Sequence, residues 1–168
     1  MRRTDLMQWI GWFAILFTSC ETKEVKTSGF FDTKSYFESL ADSLNSTKCL
    51  LEKTMITDGR QETVMDSSPD WKNELLPFIE LDITKAAMAS SYRADTSVLA
   101  GEIKINYLAL DAYVSIRRLQ IVKDSLDDIT SIYAIVRSKN PYHSSADTLE
   151  FQNDTGYRIS ALSEPYIG

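Results

Sequence analysis

The single histidine, His143, is the residue type best suited to general base catalysis near neutral pH. Ser144 and Ser145 follow it, and a serine hydrolase could combine such residues as base and nucleophile. The chain has no G-x-S-x-G nucleophile elbow, however, and this segment is typical of an exposed loop that carries a solvated histidine. We therefore expect no catalytic residues and no enzymatic activity.

Metal and cofactor sites are also not expected. A zinc site needs three or four ligands, whereas the sequence offers one histidine and two cysteines. Asp124, Asp127 and Asp128 could offer oxygen ligands to calcium, but the run lacks the glycine and the closing glutamate of an EF-hand loop. Phosphate-binding and dinucleotide-binding motifs are absent from the sequence, so we expect neither cofactor nor metal. Arg117 and Arg118 would point to opposite faces of a strand, which weakens a phosphate clamp.

The two cysteines are expected to have different roles. A basic start, Met1-Arg2-Arg3, is followed by an apolar run of 13 residues (6–18), too short for a comfortable membrane span. Thr18-Ser19-Cys20 then resembles the lipobox of bacterial lipoproteins, although Phe17 stands where leucine is usual. The resemblance implies a signal peptide over residues 1–19 and attachment of acyl chains such as palmitate to Cys20. Cys49 would remain unpaired as a small buried hydrophobe.

Two alternatives for the N-terminus stay open. An ordinary signal peptide could be cleaved to free a soluble protein, or the segment could be retained as an amphipathic or buried helix. In the lipidated form, two or more acyl chains would anchor the protein stably. Residues 20–29 would then form the lipidated cysteine and a flexible tether.

The composition describes an acidic globular chain. The 168 residues are 43% apolar and 25% charged, with a net charge of −6 and a pI near 4.8, which argues against nucleic-acid binding. Without residues 1–19 the chain keeps 16 basic and 23 acidic residues, a net charge of −7. The length suits one domain, which we place at residues 30–168.

The first half of this domain shows helical and hairpin signals. Apolar spacing predicts a helix over residues 33–46, with Asp32 or Thr33 as its cap. Asp58-Gly59 between residues 50–56 and 61–65 predicts a β-hairpin. Ser68-Pro69 predicts the start of a second helix, which Pro77 should bend or end.

The second half is rich in β-strands. Strands are predicted, with turn residues between several of them, at residues 102–109, 114–123, 129–137, 148–152 and 157–162. Arg118 and Gln120 alternate with apolar neighbours, as in a sheet with one solvated face. The predicted fold class is therefore α+β, with two short N-terminal helices packed on a curved antiparallel sheet of about five to seven strands.

Several short stretches resemble an uncharacterised outer-membrane lipoprotein family of the Bacteroidota. The stretches lie within residues 30–92 and are Phe30-Phe31-Asp32, Tyr36-Phe37, Asp70-Trp71, Glu74-Leu75, Phe78, Asp82-Ile83-Thr84-Lys85 and Ser91-Tyr92. The strand-rich half that follows resembles the family only in pattern. Met88 or a neighbour stands where the family has an aromatic residue. The motifs carry no known chemistry, so the resemblance supports an envelope location and leaves the activity open. The same aromatic residues also fit helix faces that pack against a sheet.

These observations favour a lipoprotein of the outer membrane, facing the periplasm or the cell surface. It would act by binding, as an accessory or scaffold subunit of an envelope complex, through an open sheet edge that accepts a partner strand. The alternative is a carrier of a lipid or other small apolar ligand, with Tyr107, Tyr133 and Phe151 as candidate lining residues. An enzyme would instead require His143, Cys49 and acidic residues to converge in a cleft.

Overall fold

The computed structural model describes residues 29–140 and 143–165. In chain order, the elements of this part are α1 (Thr33–Thr47), β1 (Leu51–Thr57), β2 (Arg60–Asp66), α2 (Trp71–Glu74), α3 (Leu76–Ile79), a 3₁₀ helix (Ala86–Ser91), β3 (Tyr92–Leu99), β4 (Glu102–Ala109), β5 (Ile116–Lys123), β6 (Ile129–Asn140), β7 (His143–Gln152) and β8 (Gly156–Pro165).

Helix α1 lies where its apolar spacing predicts it. The Asp32 side chain accepts a hydrogen bond from the backbone N–H of Ser35 at 2.9 Å, which satisfies one of the free donors of the first turn. The helix ends at Lys48, whose left-handed backbone (φ 52°) closes the last turn. Phe37 and Ala41 form its buried face.

The predicted hairpin is confirmed. Strands β1 and β2 pair in antiparallel register from Leu51↔Asp66 to Thr57↔Arg60. Asp58 (φ 51°) and Gly59 (φ 75°) form the turn, where a positive φ at both positions favours this pair of residues. Except for Leu51, every residue of the two strands is exposed.

The second helix begins later than predicted and is divided. Asp70 rather than Ser68 is its N-cap, because the Asp70 carboxylate accepts hydrogen bonds from the backbone N–H groups of Lys72 and Asn73. The helix is interrupted at Leu75, two residues before Pro77, which has no N–H to continue the ladder. The expected effect of Pro77 is therefore confirmed.

The remaining strands form one antiparallel sheet in the order β3-β4-β5-β6-β7-β8, which is not closed. Strand β4 has the predicted bounds, whereas β6, β7 and β8 are longer than predicted. No strand was predicted at residues 92–99, yet β3 is there and forms one edge. The expected loop around His143 is also wrong, because His143 is the first residue of β7 and pairs with Asn140 and Pro165. With its helices and a two-stranded hairpin beside this sheet, the fold class is α+β, as predicted.

The helices cover one side of the six-stranded sheet, which we call the inner face. Aromatic rings from α1, α3 and β7 meet there: Phe37 lies 5.0 Å from Phe78 and 5.1 Å from Phe151, measured between ring centroids. Thr33, fully buried, ties the start of α1 to the chain beyond α3 through a 2.7 Å hydrogen bond to the carbonyl of Leu81. The opposite side, the outer face, is not covered by these helices. Among the described residues, no helix has the length and apolarity needed to cross a membrane.

Candidate binding surface

The outer face of strands β5 to β8 forms a groove of about 650 Å³. Side chains alternate between the two faces of a strand, so the same pattern that buries Leu119, Ile121 and Ile132 on the inner face sends their neighbours into the groove. The groove is mainly polar, and its principal side chains are Arg118, Gln120, Tyr133, Glu150, Gln152 and Arg158.

Strand register brings four of these side chains into one row across the sheet. Gln120 of β5 pairs with Tyr133 of β6, Tyr133 pairs with Glu150 of β7, and Glu150 pairs with Arg158 of β8. Directly opposite residues have side chains about 5 Å apart at Cβ, so each can contact the next. The row therefore forms a continuous polar strip that contains one aromatic ring.

Arg118 is held above this row by three neighbours. Its Nη2 donates to Gln120 Oε1 at 3.0 Å and to Asn106 Oδ1 of β4 at 3.3 Å. Its guanidinium carbon lies 5.8 Å from the centroid of the Tyr133 ring, within the range of a cation–π contact. The orientation of the guanidinium is thus set by the sheet before any ligand arrives.

The groove borders the exposed edge of the sheet. Thr155, Gly156 and Arg158, at the start of β8 and in the turn before it, line the groove. Further along β8, Ile159 is 42% exposed and Leu162 is 63% exposed. Strand β8 carries Arg158 near its start and Glu164 and Pro165 at its end, the usual protections against pairing with another strand, and residues 159–163 between them have neither a charge nor a proline.

The three residues considered for an apolar ligand do not line one cavity. Tyr107 and Phe151 are buried on the inner face, at 1% and 5% exposure, whereas Tyr133 lies in the outer groove. The Tyr107 hydroxyl accepts a hydrogen bond from the backbone N–H of Phe31 at 3.0 Å. Burial raises the pKa of Tyr107, and this hydrogen bond partly opposes the rise. Phe151 contacts other aromatic rings of the core.

The other residues considered for chemistry are dispersed. Cys20 lies outside the described residues. Cys49 is half-buried, less than predicted, and its Sγ lies 3.1 Å from the Thr47 hydroxyl. Arg117 donates to the backbone carbonyls of Asp111 and Val114, so it does not join Arg118 in the groove.

The acidic run between β5 and β6 is a turn that is held together by its own hydrogen bonds. The Asp124 carboxylate accepts from the backbone N–H groups of Leu126 and Asp128, and Lys123 pairs with Asp127 at 2.9 Å. No group of three or more potential metal ligands is found in the part of the chain that the structure describes.

Sequence reasoning placed Arg118 and Gln120 on a solvated face but did not identify the groove. Tyr133, Glu150 and Arg158 belong to three different strands, and only the register brings them together. Their alternation with buried residues was the one signal available in the sequence. It indicates which face of the sheet each side chain is on, but not which side chains of other strands lie beside it.

The chain matches no protein-family model, no curated protein and no solved structure.

Proposed function

We propose that this protein is a lipid-anchored lipoprotein of the bacterial outer membrane, related to the Bacteroidota family that it resembles, and that it acts by binding. Its role is that of an accessory or scaffold subunit of an envelope complex, with a curved sheet as the scaffold. The lipobox-like segment ending at Cys20 supports the anchor. The observation that carries the binding role is the central stretch of edge strand β8, residues 159–163, which has exposed apolar side chains and neither a charge nor a proline.

The edge offers what a partner strand needs. A sheet edge presents unpaired N–H and C=O groups, and an added strand gains affinity from main-chain hydrogen bonds and specificity from alternate side chains. Ile159 and Leu162 supply exposed apolar side chains on opposite faces of β8. The other edge, β3, has a shorter stretch without charge, residues 96–99, after Arg93 and Asp95.

The apolar-carrier alternative gains no support from the arrangement. Two of its three lining residues, Tyr107 and Phe151, are part of the core, and the groove that contains the third is mainly polar.

The test compares two leucines of nearly equal exposure. Leu162 (63% exposed) lies on β8, and Leu110 (65% exposed) follows β4. Full-length protein is extracted from its own membrane in mild detergent and studied by native mass spectrometry. We expect a co-purifying protein with the wild type and with Leu110→Lys, and its loss with Leu162→Lys, because a lysine on an edge strand blocks pairing.

Hydrogen exchange identifies the contact itself. In the complex, the amides of β8 should become protected while those of β3 do not change. Retention of the partner by Leu162→Lys, or protection elsewhere than at β8, would show that the edge is not the binding surface.

A further inference from the structure

The outer groove contains a positively charged group that lacks a counter-ion. Within residues 29–140 and 143–165, no carboxylate lies within salt-bridge distance of Arg118. Its Nη2 is satisfied by two side-chain amides, whereas its Nε is buried and has no hydrogen-bond partner in that part of the chain. A partly desolvated charge without an anionic partner is unfavourable, and an anion from a ligand would relieve this.

A second cation strengthens the preference for an anion. Arg158 lies at the β8 end of the groove, and its one salt-bridge partner among the described residues is Glu150, at 4.0 Å. Both members of this pair are largely exposed, at 78% and 44%, so the attraction between them is weak. Two guanidiniums and one carboxylate leave the groove positive in a chain whose net charge is −6.

The remaining lining is suited to hydroxyl groups. Gln120 and Gln152 offer amide donors and acceptors, and Ser131 and Thr155 add side-chain hydroxyls. The Tyr133 ring provides flat apolar surface between these polar groups, which the C–H side of a sugar ring can cover. A groove of about 650 Å³ has room for more than one sugar unit.

We propose that this groove binds an acidic sugar, a uronic acid unit or a short chain of them. The carboxylate accepts a charged hydrogen bond from Nη1 of Arg118, because Nη2 already donates to two amides and Nε is buried, and the hydroxyls bond to the amide side chains. The groove borders the edge of β8 and includes Arg158, but the sugar would contact side chains of the outer face whereas a partner strand would bond to the main chain of the edge. The proposal therefore does not depend on the proposed protein partner.

Binding is tested with three probes on the full-length protein in detergent: trigalacturonate, its neutral counterpart galactotriose, and inorganic sulfate. Titrations followed by nuclear magnetic resonance use the side-chain Nε–H signal of Arg118 as the reporter. We expect trigalacturonate to shift this signal saturably and galactotriose to bind at least about ten-fold more weakly, since it lacks the charged hydrogen bond. Sulfate should not compete, because it supplies charge without the hydroxyls.

Variants separate a specific site from general attraction. Arg118→Gln should weaken trigalacturonate binding about ten-fold, and Arg118→Lys should restore only part of the loss, because lysine keeps the charge but lacks the guanidinium that Asn106 and Gln120 hold in place. Arg158→Gln should weaken trigalacturonate binding about two-fold. Because Arg158 is exposed, this variant should fold normally, and it tests the groove even if the Arg118 variants fold poorly. Arg93→Gln, on β3 outside the groove, should have no effect.

Three results would overturn the assignment. They are equal binding of the acidic and the neutral probe, displacement by sulfate at the same concentration, and an unchanged affinity in the folded Arg118→Gln variant.

Discussion

Two buried tyrosines of this fold illustrate how differently one hydroxyl group can be accommodated. Tyr107 and Tyr92 are 1% and 5% exposed. The Tyr107 hydroxyl accepts the Phe31 N–H at 3.0 Å, and so connects the start of the described chain to the sheet. The Tyr92 hydroxyl is buried and has no hydrogen-bond partner among the described residues. Removing the first hydroxyl would leave an unpaired donor, whereas removing the second would leave none.

Tyr92 should therefore control part of the alkaline stability. Burial raises its pKa to about 12 from the ordinary 10.0, although nearby Arg117 opposes the rise. Because the unfolded chain releases this proton first, the free energy of unfolding is fully present below about pH 10 and falls as the pH rises toward 12, by about 2–3 kcal/mol in all. In Tyr92→Phe this loss should disappear, with little change in stability near neutral pH.

Urea unfolding at several pH values measures the difference. Tyr113→Phe is the matched control, because that ring is 96% exposed and its hydroxyl is already in water. The variant Tyr113→Phe should follow the wild type. An equally steep alkaline loss in Tyr92→Phe would assign the effect to another group.

Among the secondary-structure elements, the β1–β2 hairpin depends most on a few anchors. A two-stranded hairpin is marginally stable alone. Leu51 is its one buried residue, and Lys53 donates to both carboxylate oxygens of Glu74, at 2.7 and 3.0 Å. Glu74 also accepts from the Tyr157 hydroxyl of β8 at 2.9 Å. Burial and this carboxylate together raise the pKa of Tyr157 strongly, so the hydroxyl stays a donor at all ordinary pH values.

Glu74→Ala should release the hairpin without unfolding the sheet. The substitution removes both contacts, and we expect about 1 kcal/mol less local stability, which corresponds to about five-fold faster amide exchange in β1 and β2. The strands β5 to β7 should exchange as in the wild type. Glu62→Ala, at an exposed position on β2, is the control. If exchange rises equally in both variants, Glu74 is not the anchor.

The elements that sequence reasoning predicted well are those with one dominant signal. In β4, Ile103, Ile105 and Tyr107 alternate with polar residues, and the strand has the predicted bounds. In β3 only Tyr92 is buried, because this edge strand lies beyond the helices. Its sequence therefore lacks the alternation of apolar and polar residues from which a strand is predicted. At the second helix the predicted start at Ser68-Pro69 is wrong. Asp70 is the N-cap, because its carboxylate accepts from two backbone N–H groups.

The candidate groove shows the limit of the same reasoning. Its faces follow from alternation along single strands, but its row of side chains follows from pairing between strands. Tyr133 meets Glu150 because β6 and β7 pair in that register, and a shift by one residue would turn every side chain to the other face. Register depends on turn geometry and on burial of the whole sheet. Neither can be inferred from the sequence pattern of a single strand.

At the scale of the whole molecule, the two faces of the sheet differ: the inner face packs against the helices and the outer face contains the groove. The inner face is filled by the helices and by the start of the described chain, where Phe30 lies 5.3 Å from the Tyr107 ring. The groove is on the opposite face. The described chain therefore begins on the side of the sheet that the groove does not occupy.

The proposed lipid anchor gives the broadest prediction, because it would determine where every other contact is made. Cys20→Ser should move the protein from the membrane fraction to the soluble fraction and abolish the acyl mass, since lipid-attached chains supply the membrane affinity. Cys49→Ser is the matched control: its thiol is half-buried beside Thr47, and the variant should stay acylated and membrane-bound. Fractionation and intact mass are measured on both. If Cys20→Ser stays in the membrane fraction, another segment holds the protein there, and the edge and the groove must be tested as surfaces of a protein with a different attachment.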